Sequence, residues 1–237
     1  MRRGSLFLAE KAKVSSGNKI LDAGCGVGGS AFWLCQNFNV NVIGITISQK
    51  QLEKAKELRK RLRLEKQTEF QLQDYTKTNF PDSSFDVVWA IESVCYAKNK
   101  IDFLKEAYRV LKPNGRLIVA DGFIKKINRT ETEEKMVKDF LRGLALDNLA
   151  EVNDFKNYLE GVGLKNISVY DETENILPTA KIMARMSRWG LPLSRLTTFL
   201  HLTPKLLVDN NVAGLVQEYL FKNRIFSWSV FVAEKNR

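Results

Sequence analysis

The stretch ILDAGCGVGG, residues 20–29, holds the side chains whose types and spacing are closest to a ligand site. Gly24, Gly26 and Gly29 satisfy the G-x-G-x-x-G pattern of a nicotinamide or flavin turn, where absent side chains let the backbone approach a pyrophosphate. Asp22 stands just before them, and such a site has no need of it. In a dinucleotide fold the acid that binds the ribose hydroxyls ends the second strand, about 20 residues past the glycines. That place reads GITISQ here, with no acid before Glu53. A carboxylate at position 22 repels a pyrophosphate and suits a cofactor that carries positive charge and no phosphate.

Such a turn needs a strand to deliver it and a helix to receive it. An apolar strand at 19–24 leads into the glycines, and a helix follows at 30–38. The alternation then repeats: strand 41–46, helix 49–63 with Ser48 as its cap, strand 69–74, strand 85–91, helix 100–111 and strand 116–121. A helix at 5–13 precedes the series. Helical stretches at 131–149 and 152–162, a strand at 164–172 and a last strand at 226–235 complete it. Alternating elements of this kind imply an α/β fold: a doubly wound, mostly parallel seven-stranded sheet with helices on both faces. A connection of about 50 residues is too long for a loop, so 174–225 is expected to be a helical insert before the last strand, with helices near 179–189, 192–200 and 210–222. The expected domains are a core of 1–173 with 226–237, and the insert 174–225.

Composition narrows the classes. With 237 residues and 44% hydrophobic side chains the chain can bury a sizeable core. No apolar run approaches the roughly 18 residues that cross a bilayer, and the first residues lack a leader's apolar core, so a soluble, cytoplasmic protein is expected. Cys25, Cys35 and Cys95 form no C-x-x-C pair and His201 is the one histidine, which argues against a metal site or a disulfide framework. The formal charge of +10 admits an anionic partner. Its densest run, 50–66, has helical spacing with interleaved Glu53 and Glu57 and reads as a solvated helix face, with a binding patch as the alternative.

The motifs D-x-G-x-G-x-G (22–28), Asp74 at the end of the third strand, FPDSSFDVVWAIES (80–93) and RVLKPNGRLIVAD (109–121) occur in one order. In this the chain resembles the class I S-adenosylmethionine-dependent methyltransferases, which are Rossmann-like. GITISQKQ and WAIES resemble the small-molecule branch that includes tocopherol, sterol, glycine and sarcosine methyltransferases and natural-product enzymes. The resemblance implies S-adenosyl-L-methionine as cofactor, S-adenosyl-L-homocysteine as product, and Asp22, Gly24 and Gly26 around the methionine part. It places Thr46, Ile47 and Gln51 at the ribose, with Gln51 donating an amide hydrogen bond. Asp74 then accepts from the adenine amino group, the Tyr75 backbone binds the ring edge, and Ile91 and Glu92 lie beside the transferred methyl. Relatives often have His in E-S-x-x-H; ESVCY puts Tyr96 there.

Methyl transfer from sulfonium is a direct displacement in which positioning does much of the work, and a base is needed only for a hydroxyl or protonated amine. Glu92, Tyr96 and His201 are the candidate catalytic groups. The acceptor atom, carbon, nitrogen or oxygen, is open. Met183, Met186, Trp189, Leu191, Leu193 and Phe199 in the insert suit an apolar or amphipathic small molecule, or else the insert's own core. Arg185, Arg188 and Arg195 read as solubilising charge, with an acidic substrate group or a weak lipid-headgroup contact as alternatives. Relatives carry further helices before the first strand, where this chain has about 18 residues; either the chain is a shortened one or the insert covers the site alone. Competing readings are an RNA or protein methyltransferase, favoured by the charge but without a legible nucleic-acid module, and a non-catalytic cofactor-binding partner protein.

Overall fold

The structure is a computed structural model and describes residues 2–236. In chain order its elements are α1 (Arg2–Lys11), β1 (Lys19–Ala23), α2 (Gly29–Phe38), β2 (Asn41–Thr46), α3 (Gln49–Arg61), β3 (Thr68–Leu72), β4 (Phe85–Ile91), a 3-10 turn (Val94–Tyr96), α4 (Lys100–Val110), β5 (Leu111–Ile124), α5 (Glu131–Gly143), α6 (Val152–Gly161), β6 (Leu164–Asp171), α7 (Thr173–Phe199), α8 (Lys205–Lys222) and β7 (Phe226–Lys235). The chain divides into two compact units, one of Met1–Asp121, Asn153–Tyr170 and Val230–Arg237, the other of Gly122–Val152 and Asp171–Ser229.

The seven strands form one mostly parallel sheet in the order β3-β2-β1-β4-β5-β7-β6. Four of the five residues of β1 are buried, as befits a central parallel strand covered on both faces. β1 pairs in parallel with β2 on one side and β4 on the other, so that Asp22 stands in register with Gly44 and Trp89. The chain runs outward from β1 to β3 and then returns to β4. Ligands of doubly wound sheets bind at such a reversal, outside the carboxyl ends of the strands. The core around this point is built of large side chains: Trp89, Phe85, Phe103 and Ile20 are among those fully buried.

The second unit packs α8 against both α5 and α7. Thr130 and Glu133 form a reciprocal capping box at the start of α5, which fixes two backbone donors that the helix itself leaves unpaired. α5 ends at Gly143, short of the expected 149, where Ala145 turns left-handed with φ 54°. The unit thus includes 122–152 as well as the 174–225 stretch that the sequence sets apart.

The insert departs from expectation in one further way. In place of separate helices at 179–189 and 192–200, α7 runs unbroken from Thr173 through Pro178 and Pro192. An internal proline removes one helical hydrogen bond, and here the neighbouring turns are held by packing. Beyond Thr173 at its start, the buried residues of α7 are small: Ala180, Ala184, Ser187 and Ser194. Gly190 belongs to the same face, since a Cβ there would lie 2.6 Å from Asn211 Oδ1, and a Cβ on Gly214 of α8 would lie 2.0 Å from Ser187 Oγ. Asn211 Nδ2 also donates to Ser194 Oγ at 3.2 Å. The two backbones therefore meet along a seam of small side chains on both sides of Pro192, and the large apolar side chains of α7 are turned away from it.

Candidate active site

The reversal at β1 and β4 brings the first motif into a turn held from two sides. The N–H groups of Gly24 and Cys25 both donate to the Ile45 carbonyl, at 3.0 and 2.9 Å. Ser93, after β4, donates from Oγ to the Ala23 carbonyl at 2.7 Å. Gly24 has φ +88°, and a Cβ there would sit 2.4 Å from Ser93 Cβ, so both the backbone and the neighbour demand glycine. At Gly26 a Cβ would meet nothing within 4 Å, which leaves open space beside the turn.

Asp22 is 3% exposed. Burial raises its carboxyl from 3.8 to about 7, against a backbone hydrogen bond from Ala31 that works the other way, and Oδ2 has no hydrogen-bond partner. A buried carboxylate oxygen left unmet is costly, and a cationic donor is the group that would satisfy it. This is the acid that the dinucleotide reading could not use.

Thr46 ends β2, buried, and its hydroxyl donates to Gln51 Oε1 at 2.7 Å. That bond occupies the oxygen of the Gln51 amide and leaves its NH2 to donate elsewhere. Ile47, between them, is 78% exposed. Asp74 lies two residues beyond the end of β3, where the sequence places it on the strand; the residue is exposed, and its Oδ1 accepts from the backbone and the hydroxyl of Thr76, both at 2.8 Å, in an Asx turn. The Tyr75 hydroxyl donates to the Ser93 carbonyl at 2.9 Å, tying this loop to the one after β4.

Ile91 closes β4, and Glu92 follows with φ 52°, rare for a residue with a side chain. Its N–H donates to the Ala120 carbonyl at 2.9 Å, and its side chain is exposed. Strain of this kind collects at functional sites. Tyr96 ends the 3-10 turn, 57% exposed. Partial burial, reinforced by the neighbouring Cys95 and by the negative charges of Asp121 and Glu92, raises its phenol above the ordinary value of 10.0. At neutral pH it keeps its proton. Asp121, on β5, is a residue that the sequence reading passes over: it is buried and its Oδ2 accepts from the Cys95 N–H at 2.9 Å, fixing the turn that carries Tyr96. The signal was present in RLIVAD, an acid at the end of an apolar run just as in KILD. Burial first, and then the Asp121 charge, push the Cys95 thiol far up, so it is not a nucleophile. His201 belongs to the other unit, exposed in the turn between α7 and α8 with φ 56°.

Two cavities, of about 450 Å³ between α4 and α6 and about 480 Å³ at the amino ends of β1 to β3, involve none of these residues. The open turn at the carboxyl ends carries the unmet carboxylate and the strained backbone, and is the better site. Among the described residues no group of three or more His, Cys, Asp or Glu is placed to hold a metal ion.

Residues 21–119 match the methyltransferase domain family. Methyltransferase GfsG of Streptomyces halstedii is 41% identical over 114 residues, 48% of this chain and 41% of that protein. The chloroplastic tocopherol O-methyltransferase of Arabidopsis thaliana is 32% identical over 165 residues, 68% of this chain and 47% of that protein. The chain thus spans less than half the length of these curated relatives. Among solved structures, geranyl diphosphate C-methyltransferase from Streptomyces coelicolor A3(2) aligns with a TM-score of 0.78 at 20% identity, over 99% of this chain and 78% of that one. The [4+2]-cyclase SpnF gives 0.78 at 21%, over 99% and 80%. At such identities the structural likeness speaks for the fold. Motifs and sequence relatives together make residues 21–119 a methyltransferase domain, and the whole chain has the fold of the class I S-adenosylmethionine-dependent methyltransferases.

Proposed function

We propose that the protein transfers the methyl group of S-adenosyl-L-methionine to a small apolar or amphipathic metabolite, leaving S-adenosyl-L-homocysteine. The observation that carries this reading is the buried, unmet oxygen of Asp22 beside a glycine turn with open space. When bound, this cofactor supplies an electrophilic methyl on a cationic sulfonium, together with a cationic amino group. Asp22 ionises against that charge. Gly24 and Gly26 admit the methionine part, and Thr46 aims the Gln51 amide at the ribose beside Ile47. The second carboxylate oxygen of Asp74 and the Tyr75 backbone hold the adenine. Ile91 and Glu92 border the transferred methyl, and Glu92 is the group available to take a proton where the acceptor has one to lose. Tyr96, protonated, orients the acceptor by donating. His201 enters only as a candidate from the helical unit.

Residues 174–225 select the acceptor in this reading, and the exposure of Met183 and Phe199 supports it, because these side chains do not close the insert's own core. The sequence relatives include enzymes named for tocopherol and sterol, acceptors with an apolar or amphipathic character, beside one named for phosphoethanolamine, a small polar one. The same fold serves a [4+2]-cyclase, so the fold alone does not establish methyl transfer. Titration calorimetry tests the cofactor assignment. S-adenosylmethionine binding without NAD binding supports it, and NAD binding without S-adenosylmethionine heat overturns it.

A further inference from the structure

The stripe Ile182, Met186, Trp189, Leu193, Leu196 and Leu200 follows a spacing of four, three, four, three and four residues, which places all six along one side of α7 and the turn that ends it. All six are exposed, from 53% for Leu200 to 80% for Trp189. The face opposite is the small-residue seam against α8, so the helix buries its alanines and serines and displays its large apolar side chains. Soluble monomers seldom leave a patch of this kind uncovered.

The charges say what covers it. From 175 to 208 there is no Asp or Glu, while Lys181, Arg185, Arg188, Arg195 and Lys205 are present. All five are exposed, and none takes part in an ion pair among the described residues. At 100° per residue, the cations of α7 fall along one edge of the apolar stripe. An antiparallel second copy of this face would meet cations with cations, and a parallel one would leave both cationic rows without a counter-charge. A partner surface that is apolar beneath, negative above and indifferent to side-chain register answers both features, and an anionic lipid bilayer is such a surface. No helix among the described residues is long and apolar enough to cross a membrane, so the contact is one that lies in the interface.

We infer that α7 docks the protein on anionic membrane surfaces, with Trp189 and Leu193 entering the acyl boundary and Arg185 and Arg188 meeting the headgroups. The inference goes beyond the methyltransferase reading, because it is measured with neither cofactor nor acceptor. The test is co-sedimentation of the full chain with vesicles of phosphatidylcholine alone and of phosphatidylcholine with phosphatidylglycerol. The anionic vesicles should bind at least about tenfold more protein, and added salt should weaken the binding. Trp189→Ser with Leu193→Ser should abolish it with thermal midpoint and circular dichroism unchanged, since both side chains are exposed. Arg185→Glu with Arg188→Glu should remove the preference for anionic lipid. No sedimentation with either vesicle overturns the inference, as does binding that both double variants retain. So does a concentration-dependent dimer, dispersed by Trp189→Ser with Leu193→Ser, in a protein that ignores vesicles.

Discussion

Replacing Asp22 by Asn should make the protein more stable and a poorer binder at once. The carboxyl of Asp22 titrates at about 7 in the fold, against 3.8 as its ordinary value, because burial disfavours its charge. Its folded pKa lies above the unfolded one, so its stabilising contribution is complete below pH 3.8 and is lost as pH rises from there to about 7. At about 1.4 kcal/mol for each tenfold change in the ionisation constant, holding the ionised group in the fold at pH 8 costs about 4 kcal/mol. An amide of the same shape carries no such cost. Asp22→Asn should therefore stabilise the cofactor-free protein by about 4 kcal/mol at pH 8 and only about 2 kcal/mol at pH 5. For a chain of this size that raises the melting midpoint by about 10 °C at pH 8. Affinity for S-adenosylmethionine should fall about ten- to hundredfold in the same variant, the strength of a hydrogen bond to a charged group. In the unmutated protein, affinity should weaken as pH drops below 7. Differential scanning fluorimetry at pH 5 and 8 and calorimetry at pH 8 read these effects. An unchanged midpoint at both pH values, or a variant that binds the cofactor as well as the parent, refutes the reasoning that Asp22 is an unmet charge waiting for a cation.

Gly24→Ala should lower the melting midpoint and the cofactor affinity together, because the new Cβ meets Ser93 Cβ at 2.4 Å with the backbone at φ +88°; a variant as stable as the parent would show that the turn gives way freely. Tyr96→Phe should reduce turnover about tenfold with cofactor affinity unchanged, since only a positioning hydroxyl is removed. Full activity would return Tyr96 to packing. Gly214→Ala, whose Cβ would fall 2.0 Å from Ser187 Oγ, should destabilise by about 1 to 3 kcal/mol, and a second change, Ser187→Ala, should restore part of it. Equal unfolding midpoints for the single and double variants would contradict the seam.

The strands at 41–46, 85–91 and 226–235 are legible residue for residue, because strands buried within a sheet read as short apolar runs bounded by turn residues. The turn of Asp22 and the glycines after β1 is legible for a different reason: its chemistry is local, and the proposed fit to one cofactor rather than another follows from charge. Asp121 is legible only as an acid in the apolar run RLIVAD; its role appears when β5, which runs on to Ile124, is brought beside the turn at Cys95. The left-handed backbone of Glu92 leaves no mark in the sequence at all. The helix boundaries near Pro192 mislead, since proline reports a lost local hydrogen bond while the seam of Ser187, Gly190 and Ser194 against α8 is a tertiary fact. The apolar spacing of α7 misleads more deeply. A three-four pattern ordinarily marks the buried face, and here the buried face is the alanine and serine one.

The central claim, methyl transfer to a small apolar or amphipathic metabolite, is tested most directly by incubating the protein with methyl-labelled S-adenosylmethionine and a metabolite extract and identifying the labelled products by mass. The account predicts a labelled small molecule that partitions into organic solvent, with S-adenosylhomocysteine formed in equal amount and with little label transferred by Asp22→Asn. Label found only in RNA or protein, or no label in any product while the cofactor remains bound, would contradict it.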